Sequence, residues 1–218
     1  MNIHEAGAKT QLHFFAKQST NYKNKMWFDN IEILLASKSP RRASLLNSLN
    51  IPTKIVEIEV CETIDPMLSI DKIAESIALK KAAGYQSADL LENQVLITAD
   101  TIVAHNGTVM GKPHNREEAL AMLKQLSGQQ HNVYTGVCMK SAKRQICFTE
   151  CSQVQFNNLE EEEILFYTDT YKPYDKAGAY GIQEWIGLIG VKEIKGCYYN
   201  IMGLPVNALY RHMKDLMV

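Results

Sequence analysis

Leu35-Ala36-Ser37-Lys38-Ser39-Pro40-Arg41-Arg42 decides how this chain is read, because it joins a strand to a helix and loads the junction with cations. Ile33 to Leu35 is a short apolar run of strand character. Ser39 stands where an N-cap belongs, and Pro40 suits the first helical position, where its missing N–H leaves no bond unmade. Arg41 and Arg42 then fall in the first turn, against the positive end of the helix dipole and beside unpaired backbone N–H groups. Cations are unwelcome there unless an anion arrives, and a strand that delivers the chain to a helix N-terminus is a common way of holding phosphate. The competing reading is a pair of solvated arginines, matched to a nearby carboxylate at little net gain.

Working outward, the stretch from Arg41 to Leu49 reads as a helix with Leu45, Leu46 and Leu49 inside, and Lys54 to Val60 as a strand. After a polar break, Ser69 to Tyr85 reads as a helix whose inner stripe is Ile70, Ile73, Ala74, Ile77 and Ala78. Lys81 extends that stripe, so its ammonium either points into a site or snorkels out to water. Val95 to Thr98 and Ile102 to Val103 have strand character on either side of Asp100. A carboxylate among apolar strand residues is costly unless a cation or hydrogen-bond donors meet it. The plain alternative is an aspartate that takes backbone N–H groups at a β-bulge. Asn106-Gly107 marks a hairpin, and Asn115 with Glu118 resembles a capping box that opens a helix through Leu126. Two strands follow, Asn132 to Lys140 and Ile146 to Phe156, then a helix capped at Asn158 and a loop from Tyr171 to Gln183. Strands near Leu188 to Lys192 and Tyr198 to Ile201 precede a closing helix that carries Val206, Leu209, Tyr210 and Met213. The alternation predicts an α/β protein with a mixed, elongated and twisted sheet flanked by helices.

The whole chain sets bounds on function. It has 218 residues, enough for one sizeable core. A net charge of −1, from 23 basic and 24 acidic side chains, offers no bulk field to retain a long polyanion. A small phosphorylated ligand is expected instead of nucleic acid. Five cysteines without a C-x-x-C pair predict reduced thiols and a cytoplasmic location, with Cys147 and Cys151 as core residues ahead of zinc ligands. No run approaches the roughly 20 apolar residues that cross a bilayer, so no membrane association is expected. Residues 1–30 read as a flexible N-terminal arm and 31–218 as a single catalytic domain.

Taken in order, these segments resemble the Maf family of nucleotide pyrophosphatases, also called septum formation inhibitor Maf proteins. The resemblance runs from Ile33 to Leu209. It rests on the opening Leu35 to Arg42 stretch, Ala99-Asp100-Thr101, Gly111-Lys112-Pro113, Leu126-Ser127-Gly128 with His131, the run from Asp175 to Gln183, and Gly203-Leu204-Pro205. It implies a Maf/ITPase-like fold with a cleft between two lobes, and hydrolysis of a nucleoside triphosphate between its α- and β-phosphates with a divalent metal, Mg or Mn. By resemblance Asp100 is the catalytic proton acceptor and a metal ligand, and Glu62 is its acidic partner at the metal. Ser37, Ser39, Arg42, Lys81 and Lys112 are the phosphate-binding residues, and Asp175 and Lys176 are further site candidates. Arg41, Thr101 and Gln183 are similar to the positions that select the base in the dTTP/UTP subgroup. Gln183 carries both a donor and an acceptor, which match the O4 and N3–H edge of thymine and uracil. Two other readings stay open: a pyrophosphatase of the 7-methylguanosine triphosphate type, and a nucleotide-binding regulator of cell division with incidental turnover. The expected partner is the triphosphate substrate, and a homodimer is left open. The chain departs from the family pattern at Lys172, an ammonium where relatives carry a glutamate near the site. It departs again at Glu184-Trp185, where the indole is expected to narrow the mouth of the pocket.

Overall fold

A computed structural model describes residues 26–58, 60 and 65–217. Residues 1–25 of the expected arm, and Glu62, lie outside the described residues. The remainder of that arm is not loose. Trp27 and Phe28 pack on the core, Trp27 Nε1 donates to the Tyr210 hydroxyl at 2.8 Å, and the three rings meet edge to face. Aromatic area of this kind holds a chain end down, so the folded part begins ahead of residue 31.

A seven-stranded sheet organises the molecule. Its strands are β1 (Glu32–Ala36), β2 (Thr53–Ile55), β3 (Gln94–His105), β4 (Thr108–Met110), β5 (Gln130–Lys140), β6 (Gln145–Phe156) and β7 (Val191–Lys195). They lie in the order β2-β1-β3-β5-β6-β7, with β4 also on β3. β1 runs parallel to β2 and β3, and the other pairs are antiparallel. β5 occupies one edge of β3 along most of its length, while β1 and β4 share the other. β1 stops at Thr98 and β4 starts at Val103, so among the described residues Ala99 to Ile102 have no strand beside them on that edge. The sheet forks there, around Asp100.

The helices are α1 (Pro40–Asn47), α2 (Ile70–Ala83), α3 (Arg116–Leu126), α4 (Glu161–Tyr171), α5 (Trp185–Gly190), α6 (Tyr198–Met202) and α7 (Val206–Met217). Side chains alternate across a strand. Ile33, Leu35, Val95, Ile97, Ala99, Val137 and Met139 therefore share one face, covered by α1 and α7. Farther along that face Val103, Val133, Val154 and Phe156 meet α3, α4 and α5 in a second apolar cluster. A polar band separates the two: Thr101 and Thr135 hydroxyls lie 2.9 Å apart, Thr135 donates to the Asn200 carbonyl, and Asn200 Nδ2 donates to Val133 O and Ser152 Oγ. On the opposite face Leu34, Ala36, Leu96 and Cys138 pack under α2. The mixed, helix-flanked sheet is the architecture expected from the sequence, and the two apolar clusters on this face are parted by polar groups at the fork.

Several elements differ from the sequence reading. Of the strand expected over Lys54 to Val60, the described residues form strand only within Thr53–Ile55. β3 is one continuous strand, in register through Asp100 opposite Gly136, so there is no bulge at Asp100. α4 is capped by the reciprocal bonds of Glu160 and Glu163 instead of by Asn158. Leu188 lies in α5, with the strand displaced to β7, and Tyr198–Met202 is a helix. Cys138 and Cys147 stand directly opposite in the β5–β6 register and are joined as a disulfide, against the expectation of reduced thiols throughout, and Cys151 is exposed instead of in the core.

Candidate active site

The site is assembled at the fork. β1 hands the chain to Ser37, Lys38 and Ser39, and α1 starts at Pro40, as its proline demands. Ser39 occupies the cap position with extended backbone, but its hydroxyl makes no capping bond; its N–H donates to Ser37 Oγ at 3.2 Å. Arg42 turns back across the helix start. Its Nε donates to Gly203 O at 2.8 Å, Nη1 to Ser37 Oγ at 3.2 Å and Nη2 to Thr101 Oγ1 at 3.0 Å. The carbonyl is presented by a turn in which Gly203 adopts φ 114°, a backbone state that favours glycine. One guanidinium thus ties the phosphate-like turn to β3 and to the segment after α6, with the planar fork that suits arginine and not lysine.

Lys81 and Asp100 meet because α2 lies unusually close to the sheet. Gly136, the cross-strand partner of Asp100, has no side chain, and a Cβ there would stand 2.2 Å from the backbone of Ala74 and Glu75. One turn before Lys81, the Ala78 carbonyl accepts the buried Thr98 hydroxyl at 2.6 Å, and Thr149 donates to Glu75 at 2.8 Å. With the helix clamped in this way, Lys81 Nζ reaches Asp100 Oδ1 at 2.9 Å, both side chains less than a fifth exposed. The sequence reading required a cation for Asp100, and the structure puts the lysine of the apolar stripe against it. Such a pair, sheltered from bulk water, interacts far more strongly than a surface one.

A cavity of about 630 Å³ opens over these groups, within the range that holds a small ligand. Every described candidate lines it: Ser37, Ser39, Arg41, Arg42, Lys81, Asp100, Thr101, Lys112, Asp175, Lys176 and Gln183. Lys112 follows β4, and among the described residues it makes no ion pair. Gly111, just before it, accepts the Gly178 N–H at 3.1 Å and links that strand end to the Tyr171–Gln183 loop. Arg42, Lys81 and Lys112 gather at the forked end. Val103, Val133, Tyr180, Ile201 and Met202 give the other end apolar walls.

At that second end the polar groups form a chain. Arg41 Nη1 pairs with Asp175 Oδ2 at 2.9 Å, Asp175 Oδ1 with Lys176 Nζ at 2.7 Å, and Lys176 with Glu184 Oε1 at 3.1 Å. The Tyr167 hydroxyl donates to Glu184 Oε2 and accepts the Gly181 N–H at 3.0 Å. Burial alone would raise the Asp175 carboxyl, and the bonds from Lys176 and Arg41 overcome it and hold its pKa below the usual value. Burial, with the Glu184 carboxylate beside it, pushes the Tyr167 hydroxyl up. Gln183 Oε1 is buried and has no hydrogen-bond partner among the described residues. Behind this wall the Tyr180 hydroxyl lies 2.8 Å from Nε2 of buried His131. Burial, aided by His105, lowers the His131 imidazole to a pKa of about 4 and keeps it neutral.

Two expectations move away from the site. Lys172 is the left-handed C-cap of α4, exposed and outside the cavity wall, so it puts no ammonium beside Asp100. Trp185 opens α5 with its ring edge-on to Phe166 and is also outside that wall, since its indole packs on the second apolar cluster. Sequence reasoning missed Thr98, Gly136 and Tyr167, and it marked Glu184 as a departure without its bonds to Tyr167 and Lys176.

Residues 32–216 match the sequence profile of a family described as Maf-like protein. The chain is 49% identical over 189 residues to a Bacteroides thetaiotaomicron protein named dTTP/UTP pyrophosphatase, covering 86% of this chain and 97% of that one. It is 51% identical over 187 residues to a Parabacteroides distasonis protein of the same name, covering 84% and 95%. The solved structure of the Staphylococcus aureus Ham1 protein is similar at a TM-score of 0.48 and 15% identity, covering 84% of this chain and 98% of that one.

Proposed function

This chain belongs to the family of Maf-like proteins, and from that membership we propose that it is a hydrolase acting on dTTP and UTP, through one catalytic domain that takes in Trp27 and Phe28 ahead of residue 31. The reaction splits water across the α–β phosphoanhydride and leaves the nucleoside monophosphate and pyrophosphate. One observation carries this reading: a single cavity holds a lysine-paired carboxylate among cations at one end and an unpaired amide acceptor at the other.

In this reading Arg42, Lys81 and Lys112, with Ser37, Ser39 and the start of α1, hold the triphosphate, since phosphoryl transfer is mainly positioning and neutralisation of developing charge. Asp100 takes the proton of the attacking water, and Lys81 fixes which carboxylate oxygen is turned to it. Thr101, Arg41 and Gln183 face the nucleoside. The Gln183 amide accepts from N3–H and donates to O4 of uracil or thymine, and cytosine, with donor and acceptor reversed, leaves both unpaired.

The residues present fit a divalent cation that arrives with the triphosphate. Among the described residues no three His, Cys, Asp or Glu side chains stand together, and Mg²⁺ commonly takes one or two carboxylates with substrate phosphates and water. Asp100 is such a carboxylate, and Glu62 is the second by resemblance. When bound, the ion would neutralise phosphate charge and acidify water. No helix among the described residues is long and apolar enough to cross a membrane.

The test is release of monophosphate and pyrophosphate from a panel of nucleoside triphosphates with Mg²⁺ or Mn²⁺. Preference for dTTP and UTP is expected, with the rate cut by a factor of roughly 10³ in Asp100→Asn. Release of inorganic phosphate, preference for 7-methylguanosine triphosphate, or an undiminished Asp100→Asn enzyme would each overturn the reading.

A further inference from the structure

Gly181 to Glu184 form a tight turn in which Gly181 and Gln183 line the cavity while Glu184, and Tyr167 behind it, do not. The Glu184 N–H donates to Gly181 O at 2.9 Å and closes the turn. A Cβ on Gly181 would stand 2.8 Å from Glu184 Cδ, 2.9 Å from Glu184 Oε2 and 3.0 Å from Gln183 Nε2, so both side chains fold back over this glycine and pack together there. Tyr167, on α4 and wholly buried, grips the turn at both ends: its hydroxyl accepts the Gly181 N–H and donates to the Glu184 carboxylate. Glu184 is held a second time by Lys176, itself only 8% exposed. The Gln183 amide oxygen is left buried and unpaired among the described residues. An unmet acceptor of this kind costs on the order of 1 to 3 kcal/mol, and such a side chain relaxes to find a partner unless its surroundings prevent it.

We propose that Glu184 and Tyr167 are positioning residues for base selection, holding the Gly181–Gln183 turn so that the Gln183 amide stands unpaired in the cavity wall, ready for the N3–H and O4 edge of a pyrimidine. The inference rests on the activity proposed above and adds to it residues that touch neither base nor phosphate.

Steady-state kcat/KM for UTP and for CTP, read by pyrophosphate release, tests it on the full chain. Tyr167→Phe and Glu184→Ala should each lower the UTP-to-CTP ratio by at least about tenfold, through UTP, because a hydrogen-bonding site discriminates by leaving groups unpaired and blurs when they can turn away. Glu184→Gln keeps an oxygen for the Tyr167 hydroxyl and should hold the ratio within about threefold of the unaltered chain. Variants that lose thermal stability while keeping the original ratio would show a purely structural role and overturn the proposal. An unaltered chain that cleaves both nucleotides equally, or neither, would instead remove the proposed function, and this inference with it.

Discussion

At the forked end of the cavity each cation and carboxylate stands on or directly beside a regular element: Asp100 on β3, Lys81 on α2, Arg42 on α1, Lys112 after β4. At the opposite end Asp175, Lys176, Gln183 and Glu184 lie on the segment between α4 and α5, whose only regular piece is a short 3₁₀ turn at Ala177–Ala179. The first end is placed by backbone hydrogen bonding and by α2 seated on Gly136. The second has a few backbone bonds, Gly178 N–H to Gly111 O and Glu184 N–H to Gly181 O, and is otherwise placed by side chains bonded to one another in the series Arg41, Asp175, Lys176, Glu184, Tyr167. Chemistry common to all triphosphates needs fixed charges and sits on the rigid frame. Choice among bases needs polar groups aimed at one base edge and sits on the loop, held there by side chains, as is usual where a scaffold carries recognition loops. Mutations at the two ends should therefore part company: the first should change turnover for every nucleotide alike, the second the ratio between nucleotides.

The largest effect is expected at the rigid end. Lys81→Gln leaves Asp100 without its ammonium and removes a positive charge from the phosphate region, so turnover of dTTP, UTP and CTP should fall together by roughly 10² to 10³. The UTP-to-CTP ratio should stay within about twofold. A variant that kept full turnover, or that lost discrimination as it lost rate, would break the division between the ends.

Behind the loop end, His131 supplies the second test. Its Nδ1 is buried without a partner among the described residues, and the tautomer that leaves a lone pair there, instead of an N–H, puts the proton on Nε2 and makes Tyr180 the acceptor. The folded-state pKa of about 4 lies below the usual 6.5. The unfolded chain therefore binds the extra proton first as pH falls, and stability drops between about pH 6.5 and pH 4, with the full contribution of neutral burial present above that window. Between pH 7 and pH 5 this group should remove about 2 kcal/mol from the unfolding free energy. Urea denaturation at the two values, compared with His131→Phe, checks it. The unaltered chain should lose about that much more than the variant, and equal losses would show that His131 is charged in the folded state.

The same division explains what was legible in the sequence. The Ser39-Pro40 helix start, the Lys81 stripe and the carboxylate stranded in an apolar run are local patterns, set by periods of 3.6 and 2 residues, and they lead to the groups that meet at the fork. Base-end residues were reached through the family resemblance, because Tyr167 looks like one more apolar position of an amphipathic helix and its hydroxyl finds Gly181 and Glu184 only after folding. Element errors share that origin. Trp185-Ile186-Gly187-Leu188-Ile189-Gly190 has strand composition, yet it is helical because Ile186 is buried in the second cluster and Gly187 lets the turn close on the Ile182 carbonyl, 1.9 Å from where a Cβ would stand; packing overrides propensity there. Cys138 and Cys147 needed the β5–β6 register before either could be seen as a partner.

Smallest of all should be the effect of the contact that joins the two ends, Arg41 on α1 with Asp175 on the loop. The distance, 2.9 Å, is good, but the Asp175 side chain is 57% exposed and Arg41 about a quarter. Exposed pairs of this sort contribute about 0.2 to 1 kcal/mol and are screened by salt. Asp175→Asn should therefore lower the unfolding free energy by under about 1 kcal/mol at low ionic strength, and by nearly nothing in roughly 1 M salt, read from urea midpoints in the two buffers. Asparagine keeps an oxygen for Lys176 or Arg41, so the inner part of the chain, Lys176 with Glu184 and Tyr167, should persist. A loss well above that size and indifferent to salt would mean that the loop depends on α1 for its place, and the two ends would then be one structural unit.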